Sequence, residues 1–280
     1  GLGDVYKRQQ PSYTEWHDLQ VNAINRFPLH TNFFTYSPED MVYEEGGKLV
    51  SRDLAQVNKT MSKNYLSLEG TWKFNWVENA DQRPTDFYKV DLDDSNWKTM
   101  NLPGIWEMNG FGVPEYVNVG FGWRGHFDEQ PPAVPTKDNH VGSYRRIIDI
   151  PANWDGKQVV AHFGSVTSNI YLYVNGKFAG YAEDSKIAAE FDITPYLKKG
   201  KNLIAFQTFR WCDGSWDEDQ DFWRLSGVAR ECYLFARDAK LHLEDIRVTP
   251  DLVNNYKDGV LNISAKVKGT GKLNFILFDK

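Results

Sequence analysis

The sequence has few of the features that mark disulfide-rich, membrane-spanning or nucleic-acid-binding proteins. Two cysteines among 280 residues form at most one bridge and cannot staple a small fold. No stretch approaches the roughly 18 consecutive apolar residues of a membrane helix. The formal net charge is -6, with 32 Lys and Arg against 38 Asp and Glu, so the chain repels phosphate backbones. We therefore expect no nucleic acid and no membrane as a partner, while the cellular compartment stays open.

Common catalytic signatures are also missing. The six histidines form no HxH or HExxH pattern, so a zinc-enzyme interpretation gains nothing. There is no GxSxG elbow, no Walker loop and no dinucleotide-binding glycine fingerprint. Nucleophilic Ser or Cys catalysis therefore has no support in the sequence. The single Cys212-Asp213-Gly214 segment also has no local His partner.

The chain is rich in short apolar alternations that end at turn residues. Trp72, Phe74 and Trp76 alternate with polar residues, a period of two that is typical of a half-buried strand. Residues 170–181 alternate around Asn175-Gly176, a pair that favours a type I′ hairpin turn. No segment keeps helical periodicity beyond about two turns. These patterns predict an all-β jelly-roll β-sandwich with little helix.

Composition divides the chain into four segments. Residues 1–9 form a polar flank that we interpret as extraneous, and residues 10–61 form an irregular, extended N-terminal arm that needs another surface to order it. Residues 62–238 are predicted to form the jelly-roll domain. Alternation in residues 239–280 predicts two or three strands that begin an immunoglobulin-like domain, truncated at the last residue. A final strand is predicted to run from Leu273 to the end of the chain.

Two loops carry residues suited to binding. Residues 210–224 contain five carboxylates and three indoles, which suit a hard cation and the faces of a sugar. A solvated acidic turn with tryptophans in the core is the alternative. Residues 106–120 are rich in Gly, Asn and aromatic residues, which are typical of a sugar-binding loop or of a plain long connection. Composition alone leaves both alternatives open.

Many collinear motifs make a more specific pattern than either loop. They are Glu15-Trp16, Asn25-Arg26, and the segments 68–74, 103–108, 114–119, 141–144, 174–176, 180–185 and 210–227. Together they resemble the N-terminal part of glycoside hydrolase family 2 β-galactosidases of the large bacterial type, over about residues 15–280. The resemblance implies a sugar-binding jelly roll and the first strands of an immunoglobulin-like sandwich, followed by a TIM barrel.

The resemblance also implies a set of site residues. In the family the residues matching Asn118 and Val119 contact the substrate, and the residue matching Asp221 binds a sodium ion and the sugar. The family's structural magnesium site corresponds to Glu15, Asp18, the Val21 carbonyl, Glu183 and Asp213. The implied chemistry is retaining hydrolysis of terminal non-reducing β-D-galactose residues by two barrel glutamates roughly 5 Å apart.

Both glutamates are expected beyond residue 280, so we assign no catalytic residue to this chain and predict that the chain by itself is inactive. The implied substrate is a β-galactoside such as lactose, and the implied parent protein is a homo-oligomer that binds Mg²⁺ and Na⁺. The alternative function is a stand-alone carbohydrate-binding module without catalysis, because a jelly roll with aromatic loops also supports that role.

Overall fold

The computed structural model describes residues 10–53, 57–116, 118 and 130–277. Within these ranges the regular structure consists of β-strands and short 3₁₀ helices, and there is no α-helix. None of the helical segments in the same ranges has the length and hydropathy of a membrane span. The predicted all-β class with little helix is confirmed.

Most of the strands are short, and they are numbered in chain order. They are β1 (Ala23–Ile24), β2 (Val42–Glu45), β3 (Lys48–Ser51), β4 (Tyr65–Ser67), β5 (Gly70–Val77), β6 (Lys98–Leu102), β7 (Gly104–Ile105), β8 (Glu115–Tyr116), β9 (Val141–Ile150), β10 (Gln158–Phe163), β11 (Val166–Thr167), β12 (Ile170–Val174), β13 (Lys177–Ala182), β14 (Ala189–Asp192), β15 (Gly200–Phe209), β16 (Trp223–Arg224), β17 (Gly227–Val228), β18 (Cys232–Arg237), β19 (His242–Val253) and β20 (Asp258–Lys268). The 3₁₀ helices are Glu15–His17, Pro38–Met41, Lys59–Met61, Ala80–Gln82, Glu107–Asn109, Ala152–Trp154, Thr194–Tyr196 and Asp213–Trp216.

Two antiparallel sheets form the sandwich. One has seven strands in the order β1-β13-β12-β15-β9-β5-β6, and the other has four in the order β14-β10-β18-β4. Their inner faces share an apolar core, in which Phe206 of the larger sheet stacks on Tyr144 at 4.3 Å between ring centroids and meets Phe163 of the smaller sheet at 5.3 Å. Non-consecutive strands lie side by side in both sheets, as expected for the jelly roll that the turn pattern predicts.

The central strands of the larger sheet are buried on both faces. Along β12, Ile170 and Leu172 belong to the inner core, whereas Tyr171 and Tyr173 belong to a second cluster on the outer face. The arm covers this outer face, because Trp16 stacks on Phe209 with ring centroids 5.1 Å apart. Alternation in these strands therefore separates two apolar environments, whereas a half-buried strand separates core from solvent.

The predicted hairpin around Asn175-Gly176 is confirmed. Asn175 has φ 50° and Gly176 has φ 79°, the pair of positive values that a type I′ turn requires. β12 and β13 pair on either side of the turn, with Val174 opposite Lys177.

Beyond the sandwich, β19 and β20 form a long hairpin with His242 opposite Lys268. The predicted final strand is wrong for the described residues 271–277, which have no regular structure. Leu273 and Phe275 alternate in sequence, but alternation forms a strand only where another strand accepts its hydrogen bonds, and the described residues provide none there. The immunoglobulin-like character of this segment stays a prediction.

Candidate substrate-side ribbon and carboxylate cluster

A short two-stranded ribbon joins the two loops that the sequence analysis singled out. In it β8 pairs with β16, so that Tyr116 lies opposite Trp223 and Glu115 lies opposite Arg224. Asn118 follows Tyr116 by two residues, and Asp221 precedes Trp223 by two residues. In an antiparallel pair these two positions face each other at the same end of the ribbon. The predicted substrate residues Asn118 and Asp221 thus each lie two residues from the paired Tyr116 and Trp223, whereas Val119 lies outside the described residues.

Tyr116 fixes one oxygen of Asp221. Its hydroxyl donates a hydrogen bond of 2.6 Å to Asp221 Oδ1, and this bond raises the pKa of the tyrosine. Among the described residues this is the hydrogen bond that the Asp221 carboxylate accepts, which leaves Oδ2 for another ligand. The rings of Tyr116 and Trp223 are 50% and 55% exposed and 5.5 Å apart, so the end of the ribbon presents a carboxylate beside two aromatic surfaces.

Two buried arginines hold the backbone under the ribbon. Arg224 donates to the carbonyls of Gln220 and Phe222 at 2.5 and 2.6 Å, on either side of Asp221. Arg210 donates to Glu115 Oε2 at 2.9 Å. Charge-assisted hydrogen bonds from a planar guanidinium are strong and directional. Arg224 therefore fixes the backbone around Asp221, and Arg210 fixes Glu115 of the facing loop.

A second connection lies where the loops leave the sandwich. The Glu107 carboxylate accepts the backbone N–H of Ser226 at 2.9 Å, and burial raises the pKa of Glu107. β7 and β17 pair beside it, with Ile105 opposite Gly227 and Gly104 opposite Val228. Gly227 has φ +107°, and a Cβ there would lie 2.6 Å from the Gly104 carbonyl oxygen, so the close approach of the loops requires glycine.

A cluster of potential metal ligands lies at the other end of the 210–224 loop. Glu183 Oε, Cys212 Sγ and Asp213 Oδ atoms all lie within 4.8 Å of one another, and all three residues are buried. Glu183 directly follows β13, and its backbone N–H donates to the Asn22 carbonyl at 3.1 Å, next to the pairing of β1 with β13. The arm, the larger sheet and the loop therefore meet at this cluster.

The electrostatics of the cluster favour a cation. Burial and the neighbouring Asp213 charge raise the pKa of Glu183 to about 8, and burial raises the pKa of Asp213. Asp213 is 4% exposed, and its Oδ1 has no hydrogen-bond partner among the described residues. A Cβ on Gly214 would lie 2.6 Å from Glu183 Oε2, so glycine leaves a small space beside the carboxylate. Buried carboxylates of this kind are stabilised by coordination to a metal ion.

The three arm positions of the predicted magnesium site lie in or near the same region. Glu15 is buried, but its oxygens accept hydrogen bonds from Ser12 and from the Tyr171 hydroxyl. Asp18 is close enough that its charge contributes to the raised pKa of Asp213, whose larger cause is burial. The Val21 backbone N–H donates to the Asp18 carbonyl at 2.8 Å. Glu183 and Asp213 thus share one cluster, while the direct participation of the arm residues stays a prediction.

Comparison with known proteins identifies the family. Residues 65–238 match the profile of "Glycosyl hydrolases family 2, sugar binding domain". The chain belongs to glycosyl hydrolase family 2. The match includes both loops and the carboxylate cluster, apart from the residues that the arm contributes.

Curated relatives of this family 2 chain are named β-galactosidase. The chain is 36% identical to one from Priestia megaterium over 263 residues, which are 94% of this chain and 24% of that protein. It is 38% identical to one from Lactobacillus delbrueckii subsp. bulgaricus over 251 residues, 89% of this chain and 23% of that protein. The family 2 chain therefore spans about a quarter of the length of these relatives.

Solved structures support the fold. A β-glucuronidase from Bacteroides uniformis aligns with a TM-score of 0.55 and 21% identity, over 73% of this chain and 22% of that chain. A β-glycosidase from Bacteroides vulgatus aligns with a TM-score of 0.52 and 23% identity, over 75% of this chain and 25% of that chain. At this level of identity the likeness concerns the fold of the family 2 chain.

Sequence reasoning missed three contributors to these sites. Cys212 is assigned no ligand role in the sequence analysis, yet its sulfur lies within 4.8 Å of carboxylate oxygens of Glu183 and Asp213. Tyr116 carries no separate signal, although its place two residues before Asn118 in the loop is visible in the sequence. Arg210 stands in the sequence only as the start of the acidic loop. Its role depends on a contact with Glu115, 95 residues away in the chain.

Proposed function

We propose that this chain supplies substrate-side and cation-binding residues to a β-galactosidase that removes terminal non-reducing β-D-galactose residues with retention of configuration. The observation that carries the proposal is the β8–β16 ribbon, where the Tyr116 hydroxyl donates to Asp221 beside the exposed rings of Tyr116 and Trp223. The family and the names of the relatives support the reaction class. The catalytic glutamates belong, in this proposal, to a barrel outside the 280 residues.

Each group of the ribbon has a defined part in the proposal. The Asn118 amide can donate to and accept from sugar hydroxyls, and Val119 would contact the sugar beside it. Asp221 Oδ2 would bind Na⁺ while Tyr116 occupies Oδ1. A hard monovalent cation suits a carboxylate oxygen, and a bound cation would orient a sugar hydroxyl at the same place.

We further propose that the carboxylate cluster binds Mg²⁺. The buried, unpartnered Asp213 Oδ1 and the space left by Gly214 beside Glu183 support this assignment. Glu183 and Asp213 would be the ligands from the jelly roll, with Asp18, Glu15 and the Val21 carbonyl as contributors from the arm. The ion would reduce repulsion among the acids and fasten the arm to the larger sheet.

The test uses the full-length protein and a chromogenic β-galactoside. We expect Asp221→Ala to lower turnover and to raise the sodium concentration for half-maximal activity at least tenfold, because the cation loses its carboxylate ligand. Asp217→Ala, an exposed acid of the same loop, is the matched control and should keep sodium activation. Unchanged sodium activation in Asp221→Ala would show that the sodium assignment is wrong.

A stand-alone carbohydrate-binding module is the second candidate, favoured by the exposed rings of Tyr116 and Trp223. Calorimetry of galactose and lactose against the purified 280-residue chain separates the two. Two polar contacts without further pocket walls give little affinity, so the favoured proposal expects no binding at millimolar sugar and no turnover. Saturable binding with similar affinity in the chain and the full-length protein would support the module, and steady turnover by the chain alone would contradict both.

A further inference from the structure

Cys212 occupies an unusual position for a structural cysteine. It directly precedes the 3₁₀ helix Asp213–Trp216 and is fully buried, at 0% exposure. Its backbone N–H donates to Ser215 Oγ at 3.0 Å, which closes the turn and fixes the direction of the side chain. The local turn therefore sets the direction of the sulfur, and the end of β13 brings Glu183 to it.

The sulfur borders the same small space as the carboxylates. A Cβ on Gly214 would lie 3.6 Å from Cys212 Sγ and 2.6 Å from Glu183 Oε2, so both atoms face the volume above this glycine. The other polar contacts of the sulfur are long, 3.7 Å to the Ser168 carbonyl and 3.8 Å to Ser215 Oγ. In the described part of the chain no strong hydrogen bond commits the thiol elsewhere.

The charges around the sulfur also favour a metal ligand. Neither Glu183 nor Asp213 forms an ion pair with Lys or Arg within the described residues. Asp213 Oδ1 is buried and unpartnered, which is a second and independent indication of a missing ligand. Two oxygens and one sulfur within 4.8 Å of one another provide three potential ligand atoms for one ion. Thiolate ligands select borderline and soft ions over Mg²⁺.

We infer that Cys212 is a direct metal ligand, and that the Glu183, Cys212 and Asp213 site accepts borderline or soft divalent ions such as Zn²⁺ and Cd²⁺ in addition to a hard ion. The inference rests on the cation site proposed above and adds its third ligand and its selectivity. On binding, the S–H bond breaks, a sulfur–metal bond forms and the proton leaves to solvent.

The test titrates Cd²⁺ into the metal-free, full-length protein and follows the sulfur-to-metal charge-transfer absorption in the ultraviolet. We expect the band in the wild type and in Cys232→Ser, the matched control whose buried cysteine lies in the sandwich core. Cys212→Ser should lack the band and bind Cd²⁺ about 100-fold more weakly or worse, because removal of a ligand costs at least as much as removal of an outer-shell partner. Mg²⁺ affinity should change less than tenfold.

The outcomes separate this inference from the cation site itself. Mg²⁺ binding that Asp213→Asn abolishes, together with an identical Cd²⁺ band in wild type and Cys212→Ser, would overturn the role of Cys212 and keep the site. Unchanged affinity for both ions in Asp213→Asn would overturn both. Zinc X-ray absorption of the wild type needs no variant. A sulfur neighbour at about 2.3 Å supports the inference, and a shell of oxygen and nitrogen alone refutes it.

Discussion

A buried carboxylate between two histidines fastens the arm to the smaller sheet, and this network makes the first prediction. Glu190 on β14 accepts hydrogen bonds from His162 Nδ1 at 2.7 Å and from His30 Nε2 of the arm at 2.9 Å. His30 Nδ1 lies 2.7 Å from the Thr31 carbonyl oxygen. Because both nitrogens of His30 face acceptors, the protonated imidazolium fits this geometry best.

The size of the stabilisation follows from the pKa of the Glu190 carboxyl group. Although burial alone would raise it, the hydrogen bonds from His162 and His30 lower the pKa of Glu190 from 4.5 to about 2. A depression of that size stabilises the folded state by about 3 kcal/mol once the pH exceeds 4.5, and the contribution disappears as the pH falls through 2. The arm is held by the part of this contribution that comes from His30, since His162 belongs to the sheet. Hydrogen bonding to Glu190 raises the pKa of His30. The contribution of His30 is therefore complete below pH 6.5 and is lost as the pH rises through the raised value.

The assay is hydrogen exchange of the Phe27 amide, which donates to the Glu190 carbonyl at 2.9 Å and reports the docking of the arm. We expect Glu190→Gln to speed its exchange at least tenfold near pH 5.5, relative to a pH-matched wild type, because the arm loses the charge-assisted hydrogen bond of His30, and we expect the difference to shrink toward pH 9. The control is Glu231→Gln, which removes a partly exposed ion pair with Lys59 of the same arm and should cost less than about 1 kcal/mol.

Other charged groups face Glu190 and His30 but do not reverse the direction of this pH dependence. Asp245 accepts the Thr31 N–H at 3.1 Å and favours the imidazolium, and Arg237 acts on Glu190 as a fixed positive charge. Tyr233 stacks on His162 with ring centroids 4.3 Å apart. Equal exchange of the Phe27 amide in Glu190→Gln and wild type near pH 5.5, or a difference that grows above pH 7, would refute the reasoning.

Two further predictions concern the proposed sites. We expect Gly214→Ala to weaken Mg²⁺ binding at least tenfold in calorimetry, because the new Cβ would lie 2.6 Å from Glu183 Oε2. Gly259→Ala is the control and should have no effect, because the space around its Cβ is open. Equal Mg²⁺ affinities of Gly214→Ala and the wild type would contradict this placement of the ion. We expect Tyr116→Phe to lower the sodium affinity about three- to tenfold, because Asp221 loses the hydroxyl that orients it, and a sodium activation curve that matches the wild type would remove Tyr116 from the site.

Local patterns were sufficient to predict much of the sandwich. Asn175-Gly176 has the residues that a type I′ turn requires, and Trp72 and Phe74 both point into the core as their alternation indicates. The second apolar cluster could not be predicted from local alternation. Tyr171 and Tyr173 alternate with aliphatic residues, and this pattern does not show which face of the sheet the arm covers. The strand expected at Leu273 failed for a related reason, since strand pairing depends on a partner that local sequence does not specify.

Local sequence predicts even less about the contacts of the two functional loops. The contact between Tyr116 and Asp221 depends on the register of β8 and β16, which are two residues long and have no distinctive pattern. Cys212 carries no metal-binding motif, and its meeting with Glu183 depends on the Asp213–Trp216 turn and on the end of β13. The resemblance to family 2 supplied the residues, but the contacts of Tyr116, Arg210 and Cys212 required the fold.

The acids of the 210–224 loop differ in whether an arginine pairs with them. Arg224 pairs with Asp219, and Arg210 pairs with Glu115 on the facing loop. Asp213 at one end and Asp221 at the other form no ion pair with Lys or Arg among the described residues, and Asp213 is buried as well. A solvated acidic turn and a pair of cation sites have the same composition. Within the described part of the loop, Arg224 neutralises Asp219 and the Ser185 N–H donates to Glu218, so Asp213 and Asp221 are the acids that we propose as cation ligands.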